Sequence, residues 1–127
     1  MPADAVPAKI PPKILSALNE ELQRADAALS IEQFDEAWSL LSRAHVLGQA
    51  WNGPHARVHL AMIRYGIRRK QIGLTIRQVL ILLSNPLATA LVRHTVGASG
   101  QNVNPLRRGP VPADLAQILR EGVAAVR

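Results

Sequence analysis

Residues 12–48 read PKILSALNEELQRADAALSIEQFDEAWSLLSRAHVLG and decide the fold class. Pro12 suits the first turn of a helix, where its missing N–H costs nothing, and the helical pattern stops at Ser30. Ser30 can also cap a second helix, with Gln33 completing a capping box, and Gly48 is a typical helix terminator. Because the connection is short, the two helices are expected to form an antiparallel hairpin. The apolar positions of the first helix recur at helical spacing and are Ile14, Leu15, Leu18, Leu22, Ala25 and Leu29.

The next part of the chain shows the same periodicity. A third helix is predicted from Pro54 to about Arg69, and a fourth from about Leu74. The dipeptide Asn85-Pro86 is expected to interrupt the fourth helix, because proline removes a backbone donor and restricts the residue before it. A further helical turn or two is expected at 87–94. The apolar positions of the fourth helix are Ile76, Val79, Leu80 and Leu83.

The C-terminal part combines an irregular loop with a last helix. Glycine and proline punctuate residues 97–111, and Pro112 is predicted to start a helix. No alternating run of useful length predicts a strand. The sequence therefore predicts an all-α protein, a compact antiparallel bundle of about five helices. It would form a single domain over 12–127, preceded by a flexible arm at 1–11.

Composition limits the classes of protein to which the chain can belong. Its 127 residues suit one domain with its own core. Because there is no cysteine, disulfides, thiolate ligands and thiol nucleophiles are excluded. The N-terminus lacks the basic segment and apolar run of a secretory signal, so a cytoplasmic location is expected. The longest apolar stretch, 79–83, is too short to span a bilayer, and no membrane association is expected.

Charge is distributed unevenly along the chain. Residues 1–56 carry four Lys/Arg against seven Asp/Glu, whereas residues 57–127 carry eleven against two. The basic half can pair with the acidic first hairpin, or it can serve an acidic protein partner or a nucleic acid. Solvated helix faces are the preferred interpretation, because only one aromatic residue, Tyr65, accompanies the basic cluster. That cluster consists of Arg64, Arg68, Arg69, Lys70 and Arg77.

Three of the four histidines fall within fifteen residues of one another. His45 ends the stripe Phe34, Trp38, Leu41, His45, which is spaced to face the core. His55 and His59 lie one helical turn apart, so that both imidazoles can reach one ion. The sequence therefore predicts a metal site formed by these three side chains.

A fourth ligand can come from the first helix. Glu21 borders the apolar face and can meet His45 across the hairpin, although pairing with Arg24 or Arg57 is the alternative. Nitrogen and oxygen ligands without thiolate suit a divalent transition metal, namely Zn, Ni, Co, Fe or Cu. Binding is expected to weaken below about pH 6, where imidazoles protonate.

One segment of the first hairpin is similar to a tetratricopeptide repeat. Residues 34–44, FDEAWSLLSRA, place an alanine three and ten positions after an aromatic residue. In the second helix of such a repeat, small residues at these positions permit close approach of the neighbouring helix. The likeness covers one hairpin, whereas at least three repeats are needed for a free-standing solenoid.

A second resemblance covers most of the chain, roughly residues 14–120. Its signature is RAHVLGQ at 43–49, HARVH at 55–59 and Met62, with GQNV at 100–103 and PADL at 112–115. These segments resemble the bacterial domain-of-unknown-function family 3703. The resemblance implies a Glu at the position of Ser42, and hence a dinuclear site within a helical bundle. Because this chain has Ser42, a mononuclear site is expected instead.

Other interpretations of the same residues remain open. Inward-facing histidines can simply be hydrogen-bonded core residues, which would leave a non-catalytic adaptor or a homo-oligomerisation domain with a basic surface. No enzyme motif is present: the chain lacks a phosphate-binding loop, a dinucleotide fingerprint and a nucleophile elbow. Ser42 and His45 can hydrogen-bond, but no orienting acid is evident, so a hydrolase is not expected.

Overall fold

The computed structural model describes residues 6–96 and 111–126. These residues form five helices and contain no strand, which confirms the all-α prediction. The helices are α1 (Pro12–Ser30), α2 (Phe34–Gly48), α3 (Asn52–Arg68), α4 (Ile72–Val96) and α5 (Ala113–Ala125).

Short links fold the first four helices into two hairpins, α1 with α2 and α3 with α4. The second hairpin packs against the first mainly through α2 and α3, while α5 covers α1 and α2. The core between these elements is mostly aliphatic. Its fully buried side chains include Ile14, Leu18, Leu47, Val58, Leu115 and Leu119.

Both hairpin turns use the same kind of helix C-terminus. A residue in the left-handed region donates its N–H to a carbonyl three residues back, and the next N–H bonds five residues back. The left-handed residues are Glu32 after α1 and Lys70 after α3, each with φ of 59°. This Schellman geometry explains why each turn needs only three residues.

The predicted capping box at the start of α2 was wrong. Helix α2 begins at Phe34 with Gln33 as its N-cap, and no side chain caps it. Ser30 instead belongs to the last turn of α1, where its Oγ donates to the carbonyl of Ala27 at 2.7 Å. The N–H of Gln33 closes the Schellman motif at the end of α1 by bonding to the carbonyl of Ala28. The carbonyl of Gln33 accepts the first hydrogen bond of α2, from the N–H of Ala37.

The predicted interruption of the fourth helix was also wrong. Helix α4 continues through Pro86 to Val96. Proline removes one backbone donor and restricts one neighbour, but the remaining hydrogen bonds of a long helix can carry it through. The apolar positions assigned to this helix do not all face the core, since Ile76, Leu80 and Leu83 are more than half exposed.

Part of the predicted N-terminal arm contacts the bundle. Pro11 is fully buried, and Val6 and Ile10 pack against the core. The indole Nε1 of Trp51 donates to the carbonyl of Pro7 at 2.9 Å. The loop predicted at 97–111 lies outside the described residues except for Val111, which packs against the core.

The basic cluster is partly neutralised by the acidic first hairpin. Arg64 lies 4.0 Å from Asp26 and Arg69 lies 3.6 Å from Asp35. The guanidinium of Arg69 also donates to the Tyr65 hydroxyl at 2.8 Å. These contacts support the interpretation in which the two halves of the chain complement each other in charge. Among the described residues, no helix combines the length and the hydrophobicity needed to cross a membrane.

Candidate metal centre

The three histidines meet at the corner where α2 ends and α3 begins. His45 lies in the last turn of α2, His55 in the first turn of α3, and His59 one turn further on. A glycine lets the corner close tightly, because a Cβ on Gly48 would lie 3.1 Å from Leu18 and 3.4 Å from Pro54. This close approach brings the end of α2 against the first turn of α3.

The ring nitrogens of the three histidines converge through their Nε2 atoms. The Nε2 of His55 is 3.0 Å from that of His45 and 2.9 Å from that of His59. A ligand atom from each of the three lies within 4.8 Å of the other two. Tetrahedral zinc with Zn–N bonds of about 2.0–2.1 Å separates neighbouring nitrogens by about 3.3 Å. The separations of 3.0 and 2.9 Å are slightly shorter than this value, and the third pair is bounded by 4.8 Å.

Hydrogen bonding alone does not satisfy this arrangement. An imidazole nitrogen carries either a proton or an in-plane lone pair, but never both. The Nε2 of His55 can therefore form one linear hydrogen bond, although two other Nε2 atoms lie within 3.0 Å of it. A cation at the point shared by the three nitrogens would accept a lone pair from each of them.

A glutamine from α4 orients one of the ligands. Oε1 of Gln78 lies 2.6 Å from Nδ1 of His59, and both side chains are buried, with 6% and 4% of their surfaces exposed. The amide oxygen accepts a hydrogen bond, so Nδ1 of His59 carries the proton and Nε2 keeps its lone pair facing the cluster. Gln78 thus holds His59 in the tautomer whose Nε2 could hold a metal ion.

The sequence analysis missed Gln78, although a signal for it was present. Gln78 lies four residues after Leu74 and four before Leu82, so it is the polar member of an otherwise apolar stripe on α4. A polar residue at such a position needs a buried partner. The identity of that partner depends on how α4 packs against α3, and the sequence pattern does not predict this packing.

Glu21, the predicted fourth ligand, pairs with an arginine of α2 in the structure. It is not among the side chains whose ligand atoms converge, and its carboxylate is held by Arg43 at 2.9 Å. Arg43 also pairs with Asp114 on α5 at 2.5 Å, so one guanidinium joins three helices. Arg24, the predicted alternative partner, is 4.0 Å from the carboxylate.

The same contact affects the pKa values of its members. Arg43 donates hydrogen bonds to Asp114 and Glu21, and these raise the pKa of Arg43 above its usual range. The hydrogen bond from Arg43 in turn lowers the pKa of Asp114. The carboxylate of Glu21 is therefore engaged in a structural contact between α1, α2 and α5.

Among the described residues, the side chains that converge at this corner offer only imidazole nitrogens. Ser42 donates its hydroxyl to the carbonyl of Trp38 at 2.9 Å on its own helix. His45 and His55 are partly buried, whereas His59 is fully enclosed. The three imidazoles thus form a compact cluster, and the most buried of them, His59, is hydrogen-bonded to Gln78.

Comparison with known proteins identifies a family without an assigned activity. No curated protein and no solved structure matches the chain significantly. The sequence profile of one family does match, over residues 12–119, which includes all three histidines and Gln78. The chain therefore belongs to the family described as Protein of unknown function (DUF3703).

Proposed function

We propose that this protein binds one divalent transition-metal ion through the Nε2 atoms of His45, His55 and His59. The observation that supports the proposal is the convergence of these atoms, with two Nε2 separations of 3.0 and 2.9 Å. Neutral imidazoles can bind zinc, copper, nickel, cobalt and iron, so the set of ligands does not choose among these ions.

The surroundings of the histidines support the same conclusion. Metal-bound histidines usually donate their second ring N–H to an oxygen acceptor, which fixes the ring and increases the basicity of the ligand nitrogen. The contact between His59 and Gln78 has this form. With Nδ1 of His59 donating to Gln78, its Nε2 lone pair faces the Nε2 of His55 at 2.9 Å and is available to a cation.

Three protein ligands leave one tetrahedral position for a further group. If water occupies that position, the metal lowers the pKa of the water and can activate it for hydrolysis. If a fourth protein ligand occupies it, the centre is structural or stores the ion. The proposal concerns binding, and it assigns no reaction.

Metal analysis and titration test the proposal directly. Protein purified without a polyhistidine tag is analysed for metal content, and the metal-free form is titrated calorimetrically with Zn²⁺. One equivalent is expected to bind to the native protein, and His59→Ala is expected to lose most of the affinity. Ser42→Ala is the matched control, because it changes a neighbouring residue and leaves all three imidazoles intact. Equal binding by native protein and His59→Ala would reject the proposal.

A second candidate function is a protein-interaction domain. The observation that favours it is the row of exposed aliphatic side chains on α4. The two functions are compatible, because the metal cluster contacts the inner face of α4 and the exposed row lies on the outer face.

A further inference from the structure

Helix α4 presents apolar side chains on two opposite faces. Its inner face packs on α3 and carries Gln78, which contacts His59. Its outer face exposes Ile72, Ile76, Leu80 and Leu83, by 75%, 54%, 61% and 71%. A helix that is apolar around its circumference is typical of one that is buried on all sides.

The exposed side chains form one continuous row. With about 100° between successive residues, the four positions fall within an arc of about 80°. We call them the outer stripe. Arg77, the charged residue within this stretch of α4, lies outside the arc, so no charged side chain interrupts the stripe. Monomeric proteins seldom leave such a row uncovered.

We propose that the outer stripe is covered by the outer stripe of a second copy of this chain. In a twofold-symmetric contact the same surface meets itself, so charged residues near the axis would face like charges. The outer stripe avoids this conflict because its residues are uncharged. An acidic protein partner would find no basic residue within the stripe with which to pair.

The charge pattern also disfavours a membrane as the occupant. Helices that bind anionic bilayers carry several Lys or Arg residues beside the apolar face. Between Ile72 and Leu83, Arg77 is the single cationic residue. Of the basic residues just before the stripe, Arg69 lies 3.6 Å from Asp35 and Arg68 donates to the Ser30 carbonyl at 3.5 Å, so both contact the first hairpin. The stripe therefore matches another apolar helix better than it matches a lipid surface.

The size of the stripe determines the expected strength of the dimer. Ile72 to Leu83 spans about 17 Å along the helix axis. This is short compared with stable interfaces, which bury about 800 Å² on each partner. The dimer is therefore expected to dissociate reversibly on dilution.

Sedimentation of the full chain tests this proposal. From about 1 to about 300 µM, native protein is expected to shift from monomer to dimer, which corresponds to a dissociation constant in the micromolar range. The double variant Ile76→Glu with Leu83→Glu is expected to remain monomeric over the same range. Val126→Glu is the matched control, since Val126 is 46% exposed at the C-terminal end of α5, outside the stripe, and should not affect dimerisation. Circular dichroism checks that each variant is folded.

Cysteine cross-linking provides a second test that does not depend on disrupting the surface. The native chain has no cysteine, so Ile76→Cys introduces a single thiol. A short bis-maleimide is expected to link Ile76→Cys into a covalent dimer, whereas Val126→Cys should remain monomeric. Three results would overturn the proposal: native protein that stays monomeric at every concentration, a dimer that persists in the double variant, or monomers that bind phosphatidylglycerol vesicles through the stripe.

Discussion

The single contact between Gln78 and His59 makes a residue-scale prediction about metal affinity. Gln78→Met preserves the side-chain volume but removes the acceptor for Nδ1 of His59, so Zn²⁺ affinity should fall by about 10- to 100-fold. Gln78→Glu restores an oxygen acceptor and should retain the native affinity. Calorimetric titration of both variants measures the effect. An unchanged affinity in Gln78→Met would show that the contact does not orient the ligand.

A second residue-scale prediction separates Glu21 from the metal site. The side chain of Glu21 is 8% exposed, and its carboxylate depends on Arg43 for a countercharge. Arg43→Met should therefore lower the free energy of unfolding by about 3–5 kcal/mol, because it leaves a buried carboxylate unpaired. Adding Glu21→Gln should recover part of that loss, as measured by chemical denaturation.

Metal affinity distinguishes the two roles considered for Glu21. Glu21→Gln alone should bind Zn²⁺ as the native protein does, because Glu21 is not among the converging ligands. Lys13→Met removes the exposed pair with Glu121 and should have little effect on the free energy of unfolding, which makes it the control for a surface ion pair. A large loss of metal affinity in Glu21→Gln would indicate that Glu21 is a metal ligand.

The contact between Arg43 and Asp114 should make stability depend on pH. The hydrogen bond from Arg43 lowers the pKa of Asp114 below its ordinary value of 3.8. A lowered pKa means that the carboxylate stabilises the fold above pH 3.8, and that this contribution is lost as the pH falls through the folded-state value. Asp114→Asn should therefore be less stable than native protein at neutral pH. Denaturation at several pH values should show this difference shrinking below pH 3.8.

At the scale of the elements, glycine substitutions in the two Schellman turns should increase the stability of the fold. Glu32 and Lys70 adopt φ of 59°, a region that costs residues with a Cβ about 1 kcal/mol more than glycine. Glu32→Gly and Lys70→Gly should each stabilise the protein by up to about 1 kcal/mol. Glu20→Gly, within the exposed middle of α1, should destabilise it by about the same amount. Thermal unfolding compares all three, and destabilisation by Glu32→Gly would contradict the assigned turn geometry.

The elements also show what the sequence can predict. Periodicity predicted the hairpin of α1 and α2 and identified three buried residues of α1, namely Ile14, Leu18 and Ala25. The stripe predicted for α2 was offset, since only Leu41 of its four members is buried and the core side instead carries small and aliphatic residues such as Ala37 and Ala44. Helix α4 is apolar on both faces, and periodicity could not identify which face packs on α3. The start of α2 was assigned wrongly because Ser30 and Gln33 match a capping box in sequence, while the backbone uses them to end α1.

The candidate site shows the same limit. His45, His55 and His59 could be found because a short corner joins the helices that carry them. Gln78 comes from α4, nineteen residues after His59, and its contact depends on how the second hairpin closes. Glu21 lies at the border of the apolar face of α1. This position does not determine whether its carboxylate pairs with Arg43 or binds a metal.

At the scale of the whole molecule, the metal cluster and the outer stripe share helix α4. The inner face of α4 contacts His59 through Gln78, while the outer face is proposed to meet a second copy. The first hairpin and α5 form the rest of the domain, joined by the contact of Arg43 with Glu21 and Asp114. Among the described residues, the side chains that converge at the corner between α2 and α3 are three imidazoles.

X-ray absorption spectroscopy of protein loaded with one equivalent of Zn²⁺ tests the central claim most directly. The proposed site predicts three imidazole nitrogens at about 2.0–2.1 Å from the metal, with the outer-shell scattering that imidazole rings produce. His55→Ala should lose one imidazole from this shell or fail to bind zinc. A zinc shell made mainly of oxygen, or identical spectra for native protein and His55→Ala, would contradict a three-histidine metal site.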